Sequence, residues 1–299
     1  MSIPAAYIGV ILIWSTTPLA IKWSGEGAGY LFGVAARMVI GAMLCVALIA
    51  LLRKPLPVTG AALRVYLAGA VGGFGSMFFV YWGATYIPSG WISVIFGLTP
   101  ILTSLIASLF LAEESLSLEK LLGMCLAFSG LYVIFSGEHA SLSPVAGLGI
   151  MLVFTSVLLH AISTVWVKSL SRDNALPAIS MTGGTLLLIA PLYSLAYAMG
   201  DHPLPASVDE RTMYSIIYLG IVGSVVGFML YFYVLKNISA SAISLIPLIT
   251  PVSALLIGAG LNEEIITTST WIGTALILFG LSIYQWGKSL SRYYRIRVG

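Results

Sequence analysis

Charge is scarce in this chain of 299 residues: Asp, Glu, Lys and Arg make up 8% of it, against about a quarter in soluble domains. With 59% hydrophobic residues and a mean hydropathy of +1.02, that scarcity excludes a soluble protein. The acids fall between the apolar runs or at their ends, so no run carries an Asp or Glu at mid-membrane, where a proton or sodium motor normally keeps a carboxylate. The pattern favours facilitated diffusion or a histidine-linked mechanism. There are two cysteines, Cys45 and Cys125, both inside apolar runs, so neither a disulfide nor a metal site is implied and no cofactor is expected. The HExxH and GxSxG motifs and the buried acidic pair of an intramembrane enzyme are missing, as are the short alternating strands of a membrane β-barrel. The string Gly69-x-x-Gly72-Gly73-x-Gly75 follows no strand and lies within an apolar run, where it serves helix packing rather than a nucleotide loop.

What the chain does have is apolar runs of spanning length. A helix needs about 20 apolar residues to cross the hydrocarbon core. Ten such runs are predicted, at 4–23, 30–52, 63–86, 88–112, 118–137, 144–168, 176–199, 210–235, 239–261 and 267–290, joined by short connections. The expected fold is an all-α integral membrane protein, with residues 1–299 forming one membrane domain. Residues 1–23 show no basic region and no cleavage site, so they read as a retained first helix rather than a signal peptide. With the N-terminus inside, Lys and Arg crowd the inner loops and only Lys22 and Arg211 remain outside. That bias predicts a multi-pass protein of the cell inner (plasma) membrane with both termini cytoplasmic. The basic tail KSLSRYYRIRVG then faces anionic membrane lipid, not nucleic acid.

The run from Pro88 to Glu113 has a second copy at 239–264. In each, a Thr-Pro pair is followed thirteen residues after the proline by a glutamate: Pro100 and Glu113, then Pro251 and Glu264. At the same offset of 151, Gly72 meets Gly223. After a one-residue slip, Gly123 and Gly130 meet Gly273 and Gly280. Repeat one (1–140) and repeat two (141–299) each hold five spans, and five is odd. The copies must therefore cross the membrane in opposite senses, the inverted-repeat plan of secondary transporters. A chain that encloses its own pseudo-symmetric pair is expected as a monomer or weak dimer.

WSTTPLAIK near the start, the two Thr-Pro runs with their glutamates, and the Gly-x6-Gly that follows each resemble the drug/metabolite transporter superfamily, specifically its ten-helix EamA type. The resemblance spans both repeats and is nearest to bacterial exporters of aromatic amino acids and related metabolites. It implies two inverted five-helix repeats, a cavity formed by helices 1, 3, 4, 6, 8 and 9, and a small-molecule substrate. One departure is the pair Glu263-Glu264 after Asn262, where the first repeat has Ala112-Glu113-Glu114.

On those helices the candidate cavity residues share faces. Phe78, Tyr81, Trp82 and Thr85 fall on one face of span 3, and Ser156, His160, Ser163 and Thr164 on one face of span 6. Span 1 adds Trp14 and Ser15, span 4 Trp91, span 8 Ser224, Phe228 and Tyr231, and span 9 Ser241 and Ser244. Packing and ligand binding are both open readings of such stripes. Pro100 and Pro251 each free a carbonyl, those of Phe96 and Pro247, and so offer a hinge and an acceptor toward the cavity. Glu113 and Glu264 either terminate helices or pair with loop groups, or else latch a gate. Two ionisable residues lie inside spans: His160, the leading single candidate, and Arg37, expected to snorkel to the outer interface. The cavity is expected to suit neutral or zwitterionic molecules with an apolar body, and the rival reading within transport is a multidrug or quaternary-ammonium carrier.

Overall fold

The computed structural model describes residues 2–111, 118–137, 145–171, 176–200, 204–205, 207–237 and 246–298. Every regular element among them is helical. In chain order they are α1 (Ile3–Gly25), α2 (Tyr30–Leu51), α3 (Gly60–Gly83), α4 (Ser89–Phe96 and Thr99–Leu111), α5 (Leu118–Gly137), α6 (Ala146–Ser171) and α7 (Ala178–Met199). Then follow α8 (Glu210–Tyr218, Leu219–Val226 and Gly227–Asn237), α9 (Ile246–Asn262) and α10 (Thr268–Val298). Seven of these are long and apolar enough to cross a membrane. The predicted spans match with shifted ends; α10 continues eight residues beyond the predicted boundary.

Local chemistry sets several ends. Thr59 caps α3 by accepting from the Ala62 amide at 3.3 Å, and Asp209 caps α8 by accepting from Thr212 at 3.1 Å. Gly27 and Gly29, at φ of 73° and 85°, make the turn between α1 and α2, a conformation that glycine adopts without penalty.

The packing is that of an inverted repeat. Equivalent helices of the two halves lie against each other: α2 on α7, α4 on α9, α5 on α10. Exchanged pairs match as well, since α1 packs on α8 and α9 while α6 packs on α3 and α4. The repeated glycines explain the closeness. A Cβ on Gly123 would meet the Gly280 carbonyl at 2.6 Å, and one on Gly130 would lie 2.9 Å from the Ile277 amide. Seven residues are two helical turns, so the pairs Gly123/Gly280 and Gly130/Gly273 form one seam between α5 and α10. At the α4–α9 crossing, Gly90 faces Leu255 and Gly97 faces Pro251.

Candidate functional site

One end of the bundle is drawn together by a single carboxylate. Glu264 follows the end of α9, and Glu263 before it takes a left-handed turn with φ of 52°, a strained choice for a residue other than glycine. The turn carries the Glu264 carboxylate back over Gly258 and onto the start of α4. There Oε1 accepts from the Ser89 amide at 2.9 Å, and Oε2 accepts from the Ser89 hydroxyl at 2.9 Å and the Gly90 amide at 3.3 Å. Asn262 Nδ2 donates to Oε1 at 3.0 Å, and Lys22 Nζ of α1 stands 3.6 Å away. A helix start has unpaired amides and positive potential, so a carboxylate there is held by charge and by hydrogen bonds together. Lys22 also donates to the Ile87 carbonyl at 3.3 Å, and Trp23 Nε1 donates to Asn262 Oδ1 at 2.8 Å. This Glu264 clasp joins α1 and α4 of repeat one to α9 of repeat two. The proline spacing and the geometry choose the same glutamate, since Glu263 is exposed and serves as the turn. On the same end Arg211 pairs with Glu26 at 2.6 Å and lies over the Trp23 ring, 5.4 Å from its centroid.

Below the clasp lies a buried polar core around two matched defects. Residues Val71–Ser76 in α3 and Leu219–Val226 in α8 form π turns, which interrupt helices most often at functional positions. They contain Gly72 and Gly223, the equivalents at the repeat offset. Such turns free backbone groups, and side chains take them up: Ser163 donates to the Ala68 carbonyl at 2.7 Å and Tyr193 to that of Phe74 at 2.6 Å. The Ser76 and Ser156 hydroxyls pair at 2.9 Å. Arg37 of α2 enters this core. It is 3% exposed and does not snorkel, contrary to the expectation from its place in the sequence. Its Nε donates to Ser224 Oγ at 2.9 Å and its Nη1 to Tyr81 OH at 3.4 Å.

The other sequence-predicted residues divide. Phe78 and Trp82 pack with Tyr30 of α2 in a ring cluster with centroids 5.9 to 6.4 Å apart. Tyr81 and Ser163 are buried in the polar core, and His160 lies beside Phe96 with centroids 6.1 Å apart. Thr164 donates into its own helix, to the His160 carbonyl. Trp91 is buried, and Ser15 is buried with a hydroxyl that finds no partner among the described residues. Trp14 and Phe228 are half-buried, with Trp14 Nε1 close to Gly227. Tyr231 lies on α8, its side chain outside the described residues; Ser241, Ser244 and Glu113 also lie outside them. Two grooves open on the flanks of the bundle. One of about 670 Å³ runs between α1, α8 and α9 past Thr16, Trp23 and Tyr218, and one of about 500 Å³ between α2 and α7 past Met43 and Pro191. None of the predicted cavity residues among the described residues lines either groove; Tyr81 and Ser163 are buried, while Phe78, Trp82, His160 and Thr164 are half-buried.

The two prolines behave differently. Helix α4 breaks at Gly97 and Leu98, immediately before Thr99-Pro100, whereas α9 runs unbroken through Pro251. The Phe96 carbonyl freed by Pro100 is taken by the Thr99 hydroxyl at 2.6 Å, so that local bond, rather than an open acceptor toward a cavity, uses it.

An inverted pair of five-helix repeats, with matched π turns and one end clasped across the repeat boundary, defines a multi-pass membrane protein on the plan of secondary transporters. The EamA-like transporter family model matches the chain twice, over residues 2–136 and 147–285. An uncharacterized transporter of Archaeoglobus fulgidus is 32% identical over 74% of this chain and 76% of its own. The inner membrane transporter YedA of Escherichia coli is 24% identical over 95% and 91%. A probable terminal-alkyne amino-acid exporter of Streptantibioticus cattleyicolor is 25% identical over 86% and 85%. A solved crystal structure 22% identical in sequence superposes with a TM-score of 0.67 over 98% of both chains, which shows the shared fold. The chain belongs to the EamA-like transporter family and is a transporter, not an enzyme.

Proposed function

We propose that the chain exports amino acids, hydrophobic and aromatic ones foremost, and related small metabolites across the inner membrane by alternating access. The observation that carries this reading is the Glu264 clasp, a cross-repeat tie at one end of a buried polar core. By the repeat offset Glu113, which lies outside the described residues, corresponds in sequence to Glu264, and Lys168 corresponds to Lys22 in the first span of each half. Transport then alternates between two clasps: Glu264 closes one side while the Glu113 side opens, and the reverse. Rocking of the halves hinges on the α4 break before Pro100 and its crossing with Pro251. The Lys and Arg bias puts both termini in the cytoplasm, so the Glu264 clasp closes the outer side. The aromatic faces of α2 and α3 and the exporter named among the relatives support the substrate class. A quaternary-ammonium carrier calls for a buried acid, whereas the charge in this core is Arg37.

The test is counterflow in proteoliposomes with labelled phenylalanine, tryptophan and leucine, with and without a pH gradient. Saturable flux that persists without the gradient is expected. Absence of flux for every aromatic and aliphatic amino acid refutes the substrate class, and strict dependence on the gradient refutes the uncoupled mechanism.

A further inference from the structure

A guanidinium inside a membrane protein remains charged, because arginine does not release its proton in the range proteins experience. Holding it there without an anion is costly, and the described residues supply none. The acids among the described residues lie at or beyond helix ends. Among the described residues, Arg37 makes no ion pair, and its partners are the neutral Ser224, Tyr81 and Met77. Those partners engage Nε and Nη1, the latter weakly, at 3.4 Å to the Tyr81 hydroxyl and 3.9 Å to the Met77 sulfur. Nη2 has no acceptor among the described residues. It faces Gly223 in the π turn of α8, where an added Cβ would lie 3.5 Å from it, so the missing side chain keeps space beside the unused donors.

We infer that Arg37 is the docking point for a carboxylate on the transported molecule, and that it sets the sign of charge the carrier accepts. A carboxylate entering beside Gly223 takes the Nη2 hydrogens and replaces the long Tyr81 and Met77 contacts, the two-pronged pairing for which a guanidinium is shaped. Arg37 and Tyr81 belong to repeat one and Ser224 and Gly223 to repeat two. A ligand bound there bridges the halves that move. The inference rests on the transport reading and narrows its substrates to carboxylates, zwitterions included, against amides, esters and simple cations.

The test uses the purified full chain in nanodiscs and matched pairs of probes: phenylalanine with phenylalaninamide, and 3-phenylpropionate with 3-phenylpropionamide. Binding is read by thermal stabilisation and by displacement of a labelled probe. Wild type is expected to bind the carboxylate of at least one pair and to discriminate against its amide. Arg37→Gln is expected to lose about 10- to 100-fold in carboxylate affinity with amide binding unchanged, the loss of charge-assisted hydrogen bonds. Gly223→Ala leaves the arginine and its Ser224 bond in place, and it too is expected to weaken carboxylate binding. It keeps the test decisive if Arg37→Gln does not fold. Carboxylate binding equal in wild type and both variants overturns the inference, as does equal loss of carboxylate and amide. Failure of every carboxylate to bind wild type overturns it too. Binding of phenylpropionate but not phenylalanine leaves the inference standing and refutes the amino-acid reading; phenylalanine flux that survives Arg37→Gln does the opposite.

Discussion

The perturbation that probes the clasp most cleanly is Glu264→Gln, which keeps the shape of the side chain and removes its charge. The wild-type carboxylate is 8% exposed and accepts four hydrogen bonds, from Ser89 N, Ser89 Oγ, Gly90 N and Asn262 Nδ2. Glutamine retains one acceptor oxygen and turns an NH2 group toward donors that already point at it. Hydrogen bonds to a charged group contribute about 1.5–3 kcal/mol each and do not add, so a loss of about 3 kcal/mol is expected for the clasped arrangement. That is about a 150-fold fall in the ratio of clasped to open molecules. Spin labels read the change: nitroxides at Thr85→Cys and Ile265→Cys, both exposed, flank the clasp from the α3–α4 turn and the segment after α9. The exposed Cys125 is replaced by serine and the buried Cys45 is left in place. One short distance is expected with Glu264, and a second, longer population with Gln. A folded variant whose distances match the parent refutes the reasoning.

Three further outcomes follow from the geometry. Gly123→Ala drives a methyl group against the Gly280 carbonyl and the Tyr284 amide, backbone that does not move aside, and is expected to cost about 1–3 kcal/mol, seen as a lower melting temperature in detergent. Thr99→Val leaves the Phe96 carbonyl without its hydroxyl and is expected to cost about 1 kcal/mol, with faster amide exchange around Gly97 and Leu98. The hydrogen bond from Thr212 holds the Asp209 carboxyl below its ordinary value of 3.8. The cap it makes on α8 is therefore fully present above about pH 4 and is lost as pH falls through the lowered value. Amide exchange at Thr212 and Met213 is expected to quicken over that acid range in wild type and to stay flat in Asp209→Asn.

The fold was legible because its signals are repeated: ten apolar runs, and the same Thr-Pro, Glu and Gly-x6-Gly spacing in each half. The glycines carried the most specific message. Gly123 and Gly130 meet Gly280 and Gly273 in space because seven residues return a helix to the same face. The π turns were less legible, since VGGFGS and LGIVGSVV read as small-residue packing, and only their matched positions pointed to more. Arg37 was misread because snorkelling depends on which way the side chain leaves the helix. Close approach of α2 to α8 at Gly41 and Gly220 turns it inward. The clasp eluded a one-dimensional reading for a similar reason: Glu264 and Ser89 are 175 residues apart. Pro100 was correctly marked as an interruption, but its freed carbonyl is satisfied one turn away by the threonine beside it.

Opening of the clasped end is the central claim, and a cross-link across it addresses that claim most directly. Thr85→Cys and Ile265→Cys in the Cys125→Ser background, bridged by a cleavable bifunctional thiol reagent of the length given by the spin-label distance, hold the end shut. Counterflow of the labelled substrate in proteoliposomes is then measured before and after the reagent is cleaved. Flux is expected to vanish on bridging and to return on cleavage; undiminished flux through the bridged carrier would contradict opening at the clasp.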